Sequence, residues 1–362
     1  MMKSIYKLTI LLLLIPTIVL GNNDNDKKRH EKSKTIKKSF KVNSDASLAV
    51  SNRYGNINVT TWNQNRIEID IKITVKGNDL DEVEDQLEKI DVDFNSSASS
   101  VEAKTRFGKN KSSWTFWKKS KKISYQINYI VKMPVTNNVN LNNDYGSISL
   151  DELDGEASIN CDYGKITIGD LRGDNTDINL DYCSTSTISS VKDANVNIDY
   201  SKLTIENSNT VKLNTDYSTV KLNTVDDLTF NADYGSISVG DVVNANGNGD
   251  YTGLKFGTVK KNLKINSDYG SIRIGNLAKG FESVYIDSEY AGIRIGTSTD
   301  NNFKFIIDLQ YASFKKNDSN VEIFKSNVKS SKKYYEGVYG KGNSNSKLTI
   351  KSEYGSVLFN EN

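Results

Sequence analysis

Tyrosine recurs along this chain at a nearly fixed step. Tyr145, Tyr163, Tyr182, Tyr200, Tyr217, Tyr234, Tyr251, Tyr269, Tyr290 and Tyr311 are 18, 19, 18, 17, 17, 17, 18, 21 and 21 residues apart. A period of that length is the signature of stacked repeats, each too small to bury its own apolar face. Tyr354 follows Tyr311 after 43 residues, which reads as one repeat carrying an insertion. The 19 tyrosines and 24 glycines against two prolines suit strands joined by tight turns.

The columns around each tyrosine define a repeat. Two and four residues before it the side chains are apolar or small, as at Val196 and Ile198 or Phe230 and Ala232. Three and five residues after it they are apolar again, as at Leu203 and Ile205 or Ile272 and Ile274. A third inward position falls eight after, at Leu153, Leu171, Val225, Val242, Val259 and Leu277. Each set alternates with period two, so each is a strand with one buried face. The odd step of three across the tyrosine demands a kink, and the Gly of the Asp-Tyr-Gly triplet is expected to supply it. The predicted fold class is all-β: a single-stranded parallel β-solenoid (β-helix) of 17–21 residues per coil. An antiparallel sandwich is the competing architecture.

An earlier copy of the repeat surrounds Tyr54, with Leu48, Val50, Ile57, Val59 and Trp62 in the matching columns. Between it and the main series, Ile67–Val75 reads as a strand, Leu80, Val83, Leu87 and Ile90 as one face of a short helix, and Gln126–Met133 as another strand ending at Pro134. This predicts a small N-terminal α+β subdomain over residues 39–134, holding the first coil, and a solenoid over 135–362 with an insertion near 317–347.

Residues 1–21 read as a signal peptide. Lys3 and Lys7 precede an apolar run from Leu8 to Leu20, and Gly21 offers a cleavage point. The run is too short for a membrane span, which needs about 20 residues. Export is therefore expected, to a periplasmic, cell-surface or secreted location, with no membrane span once the signal is removed. Residues 22–38 are polar and basic without apolar periodicity, and read as a disordered arm. The near balance of 47 basic and 45 acidic residues gives no case for nucleic acid. A single His and two Cys leave little material for a His-based triad, a zinc site or a disulfide framework. Cys161 and Cys183 fall in different repeat slots and are expected to remain separate thiols.

The first Tyr-Gly-Asn-Ile-Asn-Val coil, the strand-helix-strand insertion, the Tyr-Ile-Val-Lys-Met-Pro segment and the run of Asp-Tyr-Gly-Ser-Ile-type coils together resemble the putative adhesin family of secreted bacterial β-strand-repeat proteins. The resemblance covers residues 40–362. It implies an envelope or surface location and no established catalytic residues, and much of that family is a domain of unknown function. The insertion after Tyr311 departs from its regular pattern.

Polar columns carry whatever chemistry the repeats have. Asn160, Asn179, Asn197, Asn214 and Asn231 stand three before tyrosine, and Asp162, Asp181, Asp199, Asp216 and Asp233 stand one before it. By parity both columns point outward. Parallel stacking would set equivalent residues about 4.8 Å apart, as an amide ladder beside a carboxylate ladder. The structural reading has the amides bond along the ladder and each Asp close its corner as an Asx turn. The functional reading is a glycan- or cation-binding face. No cofactor is expected, and weak Ca2+ binding along the carboxylates is the single candidate. The tyrosine column itself reads as a core or corner ladder, with a sugar-stacking platform as the alternative.

Charge is unevenly placed, with 25 acidic and 16 basic residues between Val135 and Lys316. Eight basic residues crowd Lys104–Lys122 around Trp114, Phe116, Trp117, Lys118 and Lys119. That segment reads as a hairpin tip or cap on the solenoid end, or as a contact for an anionic glycan, lipid headgroups or a partner such as a cell-envelope protein. Enzyme motifs are missing: Gly337–Gly342 lacks the phosphate-loop spacing, and no G-x-S-x-G has a partner His. Arg273 and Arg294 share an outward column without a paired constellation. The expected function is therefore non-catalytic: adhesion, surface binding or envelope structure. The alternatives are a β-helix polysaccharide-processing enzyme and an envelope partner-binding or sensing protein.

Overall fold

The structure, a computed structural model, describes residues 29–108, 123–317, 319–341 and 343–361. The signal-like residues and the aromatic cluster from Trp114 to Lys119 lie outside the described residues. The chain divides into two compact units, one ending at Ile168 and the other beginning at Gly169.

Unit 1 is built from β1 (His30–Lys41), β2 (Ser47–Arg53), β3 (Ile57–Trp62), β4 (Arg66–Gly77), α1 (Leu80–Lys89), β5 (Ile90–Ser96), β6 (Ser100–Phe107), β7 (Ser124–Pro134), β8 (Asn138–Asp144), β9 (Ser147–Leu153) and β10 (Ala157–Asp162). One run of pairing goes β1–β4–β7 antiparallel, then β7–β3–β9 parallel. The other goes β5–β6 antiparallel, then β6–β2–β8–β10 parallel. The first repeat thus pairs directly with the Tyr145 repeat although 91 residues separate their tyrosines. Helix α1 is opened by Asp79, whose carboxylate accepts the Glu82 N–H at 3.2 Å. It buries Val83 and Leu87, while Leu80 stays exposed and Ile90 already begins β5.

Residues 30–38 belong to β1 and are not a disordered arm. Every residue from His30 to Lys41 is matched against β4. Lys37 pairs with Asp70 at 2.9 Å, Glu31 with Lys76 at 2.9 Å and Lys32 with Glu84 at 2.8 Å. A charged strand has no apolar alternation to betray it; its complement sits on a strand some 35 residues away.

The division falls within β11 (Lys165–Leu171). Unit 2 continues with β12 (Thr176–Asp181), β13 (Thr185–Asp199), β14 (Lys202–Asp216), β15 (Thr219–Asp268), β16 (Ser271–Leu277), β17 (Ser283–Glu289), β18 (Gly292–Thr297), β19 (Phe303–Gln310), β20 (Phe314–Asn317), β21 (Val321–Lys329), β22 (Lys332–Tyr339), β23 (Lys347–Glu353) and β24 (Val357–Glu361). Successive repeats pair parallel and in register, so Asp181 matches Asp199, Asp199 matches Asp216 and Asp216 matches Asp233. The β19–β22–β21 run is antiparallel. The architecture is therefore nearly all β with a mixed sheet, and not the purely parallel one the repeat suggested.

The order of repeats also differs from the order in sequence. β23 pairs with β17 on one side and β19 on the other, and β24 pairs with β18 and β20. Tyr354 accordingly lies between Tyr290 and Tyr311. The residues between Tyr311 and Tyr354 hold β20, an added hairpin and β23. The β21–β22 hairpin is laid against β19, after which the chain turns back into β23.

The apolar columns are the core. Val196, Ile198, Leu203, Ile205, Leu222, Phe256, Ile265 and Ile274 are all at most 2% exposed. Volume is matched between neighbouring repeats, as at Phe230, which lies against Gly247 of the next. A Cβ added at Gly247 would sit 2.4 Å from both the Phe230 ring and the Phe230 carbonyl oxygen. Gly247→Ala should therefore cost about 1–3 kcal/mol, the usual range for overpacking. Gly292 has nothing within 4 Å of such a Cβ, so Gly292→Ala should be neutral or stabilise by about 0.4–1 kcal/mol through the unfolded chain. Urea titrations of both variants measure the contrast, and equal destabilisation would contradict this account of the core.

Candidate functional site: the outward tyrosine, asparagine and carboxylate rows

Every repeat tyrosine has a positive φ, from +47° at Tyr217 to +65° at Tyr54. The left-handed conformation costs an L-residue with a Cβ about 1–2 kcal/mol. Here it breaks the pleat once per repeat, which accounts for the odd step. The kink expected at the Gly therefore belongs to the tyrosine. The Gly meets a different demand: a Cβ at Gly164 would lie 1.9 Å from the Gly146 carbonyl oxygen of the preceding repeat. Where the next residue is not Gly it is small, and where it is Ser or Thr its hydroxyl ties the corner. Ser201 donates its hydroxyl to the Asp199 carbonyl at 2.7 Å and accepts the Cys183 N–H at 2.8 Å. Ser218 and Thr252 donate likewise to the carbonyls of Asp216 and Asp250. At these three corners the residue after tyrosine bonds the carbonyl of the residue before it, a corner tie that the sequence pattern assigns to the Asp side chain.

The same break throws the tyrosine ring outward. In unit 2 the rings of Tyr182, Tyr200, Tyr217, Tyr234, Tyr251, Tyr269, Tyr290, Tyr354 and Tyr311 stack in that order. Their centroids are 4.6–5.0 Å apart and their planes within 7° of parallel. They are 45–58% exposed, so the inward placement expected from parity is corrected. Ring faces are covered by neighbouring rings, leaving edges and hydroxyls at the surface. Sugar stacking needs an open face, so the sides of this row do not offer a sugar platform. Crowding pushes the phenols of Tyr200, Tyr234 and Tyr290 above their usual value, by lost hydration first and then by neighbouring tyrosines and carboxylates. Unit 1 has its own stack of Tyr54, Tyr145 and Tyr163, at 5.4 and 5.0 Å. Phe107 meets Tyr54 edge-on and Tyr125 meets it tilted.

The amide row forms as expected. In unit 2, Asn197 donates to Asn179 at 2.9 Å, Asn214 to Asn197 at 3.0 Å and Asn231 to Asn214 at 3.3 Å. Asn248 and Asn266 extend it at 3.0 and 3.1 Å. In unit 1, Asn160 donates to Asn142 and Asn142 to Asn140, both at 2.7 Å. Asn197, Asn214, Asn231 and Asn248 each spend one N–H and one lone pair on the row.

The carboxylates form the adjoining row. Asp268 matches Glu289, Glu289 matches Glu353 and Glu353 matches Gln310, whose amide donates to Glu353 at 3.4 Å. Lost hydration first, and then Asp181 and Asp216 on either side, hold the Asp199 carboxyl above the usual range. Asp233 is raised likewise, by lost hydration and then by Asp216 and Asp250. In unit 1, Asp162 continues β10 beside Asp144 of β8, and Arg53 donates to Asp144 at 2.9 and 3.0 Å. Among the described residues no three His, Cys, Asp or Glu side chains converge as a metal site. The carboxylates make a line and not a cage.

On the strand after the corner, Lys255, Arg273 and Arg294 match in register and are exposed. The sequence placed the two arginines there and passed over Lys255, which the same column, four after tyrosine, contains. A shallow depression of about 470 Å³ opens beside the rows over Asp227, Asn244, Asn246, Lys264 and Tyr285. Cys161 and Cys183 are buried and form no disulfide. Among the described residues no helix is long and apolar enough to cross a membrane.

No family model and no curated protein matches the chain. Solved structures are similar to it at low identity, three of them as follows. A putative cell adhesion protein from Clostridium sporogenes shares 10% identity over 91% of this chain and 100% of its own, with a TM-score of 0.19. A putative adhesin from Bacteroides fragilis shares 12% over 90% and 97%, at 0.22. Another from Parabacteroides merdae shares 11% over 93% and 97%, at 0.30. At these TM-scores the likeness carries no argument, and the functional reading rests on the rows themselves.

The raised carboxyls set a pH dependence. A carboxyl whose folded-state pKa is raised favours the folded protein fully below its unfolded value, and that advantage is lost as pH rises through the folded value. Asp199→Asn with Asp233→Asn should therefore stabilise at pH 7, by about 0.2–1 kcal/mol per relieved like-charge contact. The gain should vanish below the ordinary Asp pKa of about 3.9. Melting curves from pH 3 to pH 8 check this; a gain that grows on acidification would contradict the assignment.

Proposed function

We infer that the chain is an exported, non-catalytic β-solenoid acting in adhesion, surface binding or envelope structure, through its outward polar rows. The observation that carries this reading is uniformity. Asn179, Asn197, Asn214, Asn231, Asn248 and Asn266 form one hydrogen-bonded line beside matched carboxylates. A catalytic centre needs a singular cluster, whereas a line of like sites suits a polymer that repeats its own contacts. The partner class is a glycan or a cell-envelope protein carrying amide or hydroxyl groups at a step near the strand spacing. The aromatic and basic residues Trp114, Phe116, Trp117, Lys118 and Lys119 are proposed as a second contact for the same partner. Weak Ca2+ binding along Asp181, Asp199 and Asp216 would relieve their repulsion and serve as a bridge to anionic polymers.

A glycan array, followed by titration of oligomers of increasing length, tests the reading. Affinity should rise with oligomer length and no new reducing ends should appear. Asn214→Leu with Asn231→Leu should weaken binding about tenfold, or 1.4 kcal/mol. Release of product would establish the polysaccharide-processing alternative instead. At constant ionic strength, Ca2+ should raise the melting temperature of the wild type more than that of Asp181→Asn/Asp199→Asn/Asp216→Asn; equal effects would leave the carboxylates purely structural.

A further inference from the structure

β17 and β19 carry consecutive repeats of the sequence, yet β23 lies between them. Ser283 matches Lys347 on one side of β23, and Lys304 matches the same Lys347 on the other. Val284 and Phe305 flank Leu348, and Ile286 and Ile307 flank Ile350. Past the corner, Ile293 and Phe314 flank Val357. The inserted segment is core on both sides: Leu348, Ile350 and Val357 are fully buried and Phe359 is 2% exposed. Its backbone is used on both edges. Lys347 donates to the Glu282 carbonyl at 3.1 Å, and Lys304 donates to the Ser346 carbonyl at 3.0 Å. Tyr290 donates to the Glu353 carbonyl at 2.9 Å, and Tyr354 to the Gln310 carbonyl at 2.9 Å.

The walls of this slot match each other. Ser283 to Lys304, Tyr290 to Tyr311 and Ile293 to Phe314 are all 21 residues. That is also the offset at which Asn262 pairs directly with Ser283 in the preceding repeat. The insert is therefore not what sets the register of its neighbours. It fills a repeat-shaped slot whose two edges present complementary ladders and an apolar floor. Residues 340–346, which join β22 to the insert, are Gly, Lys, Asn and Ser only, a composition suited to a hinge.

We propose that this slot is an interaction site for a second copy of the chain, whose residues 346–359 enter it in place of the molecule's own. The incoming segment carries every contact the slot requires: Leu348, Ile350, Val357 and Phe359 inward, Tyr354 in the ring stack, and a backbone edge for each wall. Exchange keeps all these contacts and changes only whether donor and acceptor belong to one chain, the condition for low-cost swapping. Each copy donates one segment and accepts one, so a reciprocal pair closes as a two-fold dimer, and head-to-tail exchange extends to larger rings or linear chains. High local concentration, as on a surface, favours exchange over self-insertion.

Ser288 and Ser352 supply the test, because their buried hydroxyls are 3.4 Å apart across the β17–β23 pair. Ser288→Cys and Ser352→Cys are made as separate full-length proteins, mixed at high concentration and oxidised mildly. Neither alone can form a 288–352 disulfide, so a linked dimer with that bond, identified by peptide mass, reports exchange. The dimer should be lost when a synthetic peptide of residues 343–362 is present in excess. The double variant, oxidised at low concentration, should instead lock as a monomer. Absence of the 288–352 link in the mixture, while the double variant closes its own disulfide, overturns the proposal. Failure of the double variant to close it overturns the slot geometry. Should either single variant not fold, uptake of the labelled peptide by the unmodified chain decides: retention through gel filtration supports the slot, and no retention rejects it.

Discussion

Parallel, in-register pairing places like on like, and the rest of this protein follows from that constraint. In register, Asn214 meets Asn197 and Asn231, Asp216 meets Asp199 and Asp233, and Tyr217 stacks on Tyr200 and Tyr234. Each residue type must tolerate its own copy at about 4.8 Å. Asparagine does so well, since it is both donor and acceptor. Tyrosine does so by laying ring on ring. Aspartate does so badly: lost hydration first, and then the neighbouring carboxylates, hold Asp199 and Asp233 above the usual range. The carboxylate row thus calls for an explanation beyond stability, whereas the amide row does not.

The tyrosine holds two roles in tension. Its left-handed backbone is unfavourable taken alone, yet that conformation turns the chain through the corner and swings the ring into the stack. Ring contact with both neighbours offsets the backbone cost only when neighbours are present, so the corner is a cooperative device. Phe107 and Tyr125 continue the aromatic series around Tyr54 in unit 1 where the regular stack stops.

Much of this was legible in the sequence because burial leaves a period. Ile205, Leu222 and Ile274 announce themselves by alternation, and Val83 and Leu87 by helical spacing. The site of the parity break was ambiguous, since Tyr or Gly could equally carry it. The positive φ of every repeat tyrosine and the collision a Cβ would make at Gly164 separate the two roles. β1 was hidden because its partners are charges on β4, and complementary charge has no local pattern. The placement of β23 was hidden for a different reason. The repeats at Tyr290 and Tyr311 keep the same 21-residue offset whether or not something lies between them. Periodicity specifies the mate of each residue and not the order in which mates are stacked.

The depth of Gly247 under Phe230 shows how finely adjacent repeats are fitted, but most repeats in unit 2 use interchangeable side chains at equivalent positions. A duplication or loss of one whole repeat would preserve both neighbouring interfaces, whereas gain or loss of a single residue inside a strand would turn the rest of that strand to the wrong face; the 17- and 18-residue offsets of neighbouring repeats show such differences absorbed at the corners instead. Repeat number is therefore free to drift in related chains while the surface chemistry stays fixed. Each added unit lengthens the rows by one tyrosine, one amide and one carboxylate. Valency toward a long partner can then be tuned by gene duplication alone, with no new contact to invent.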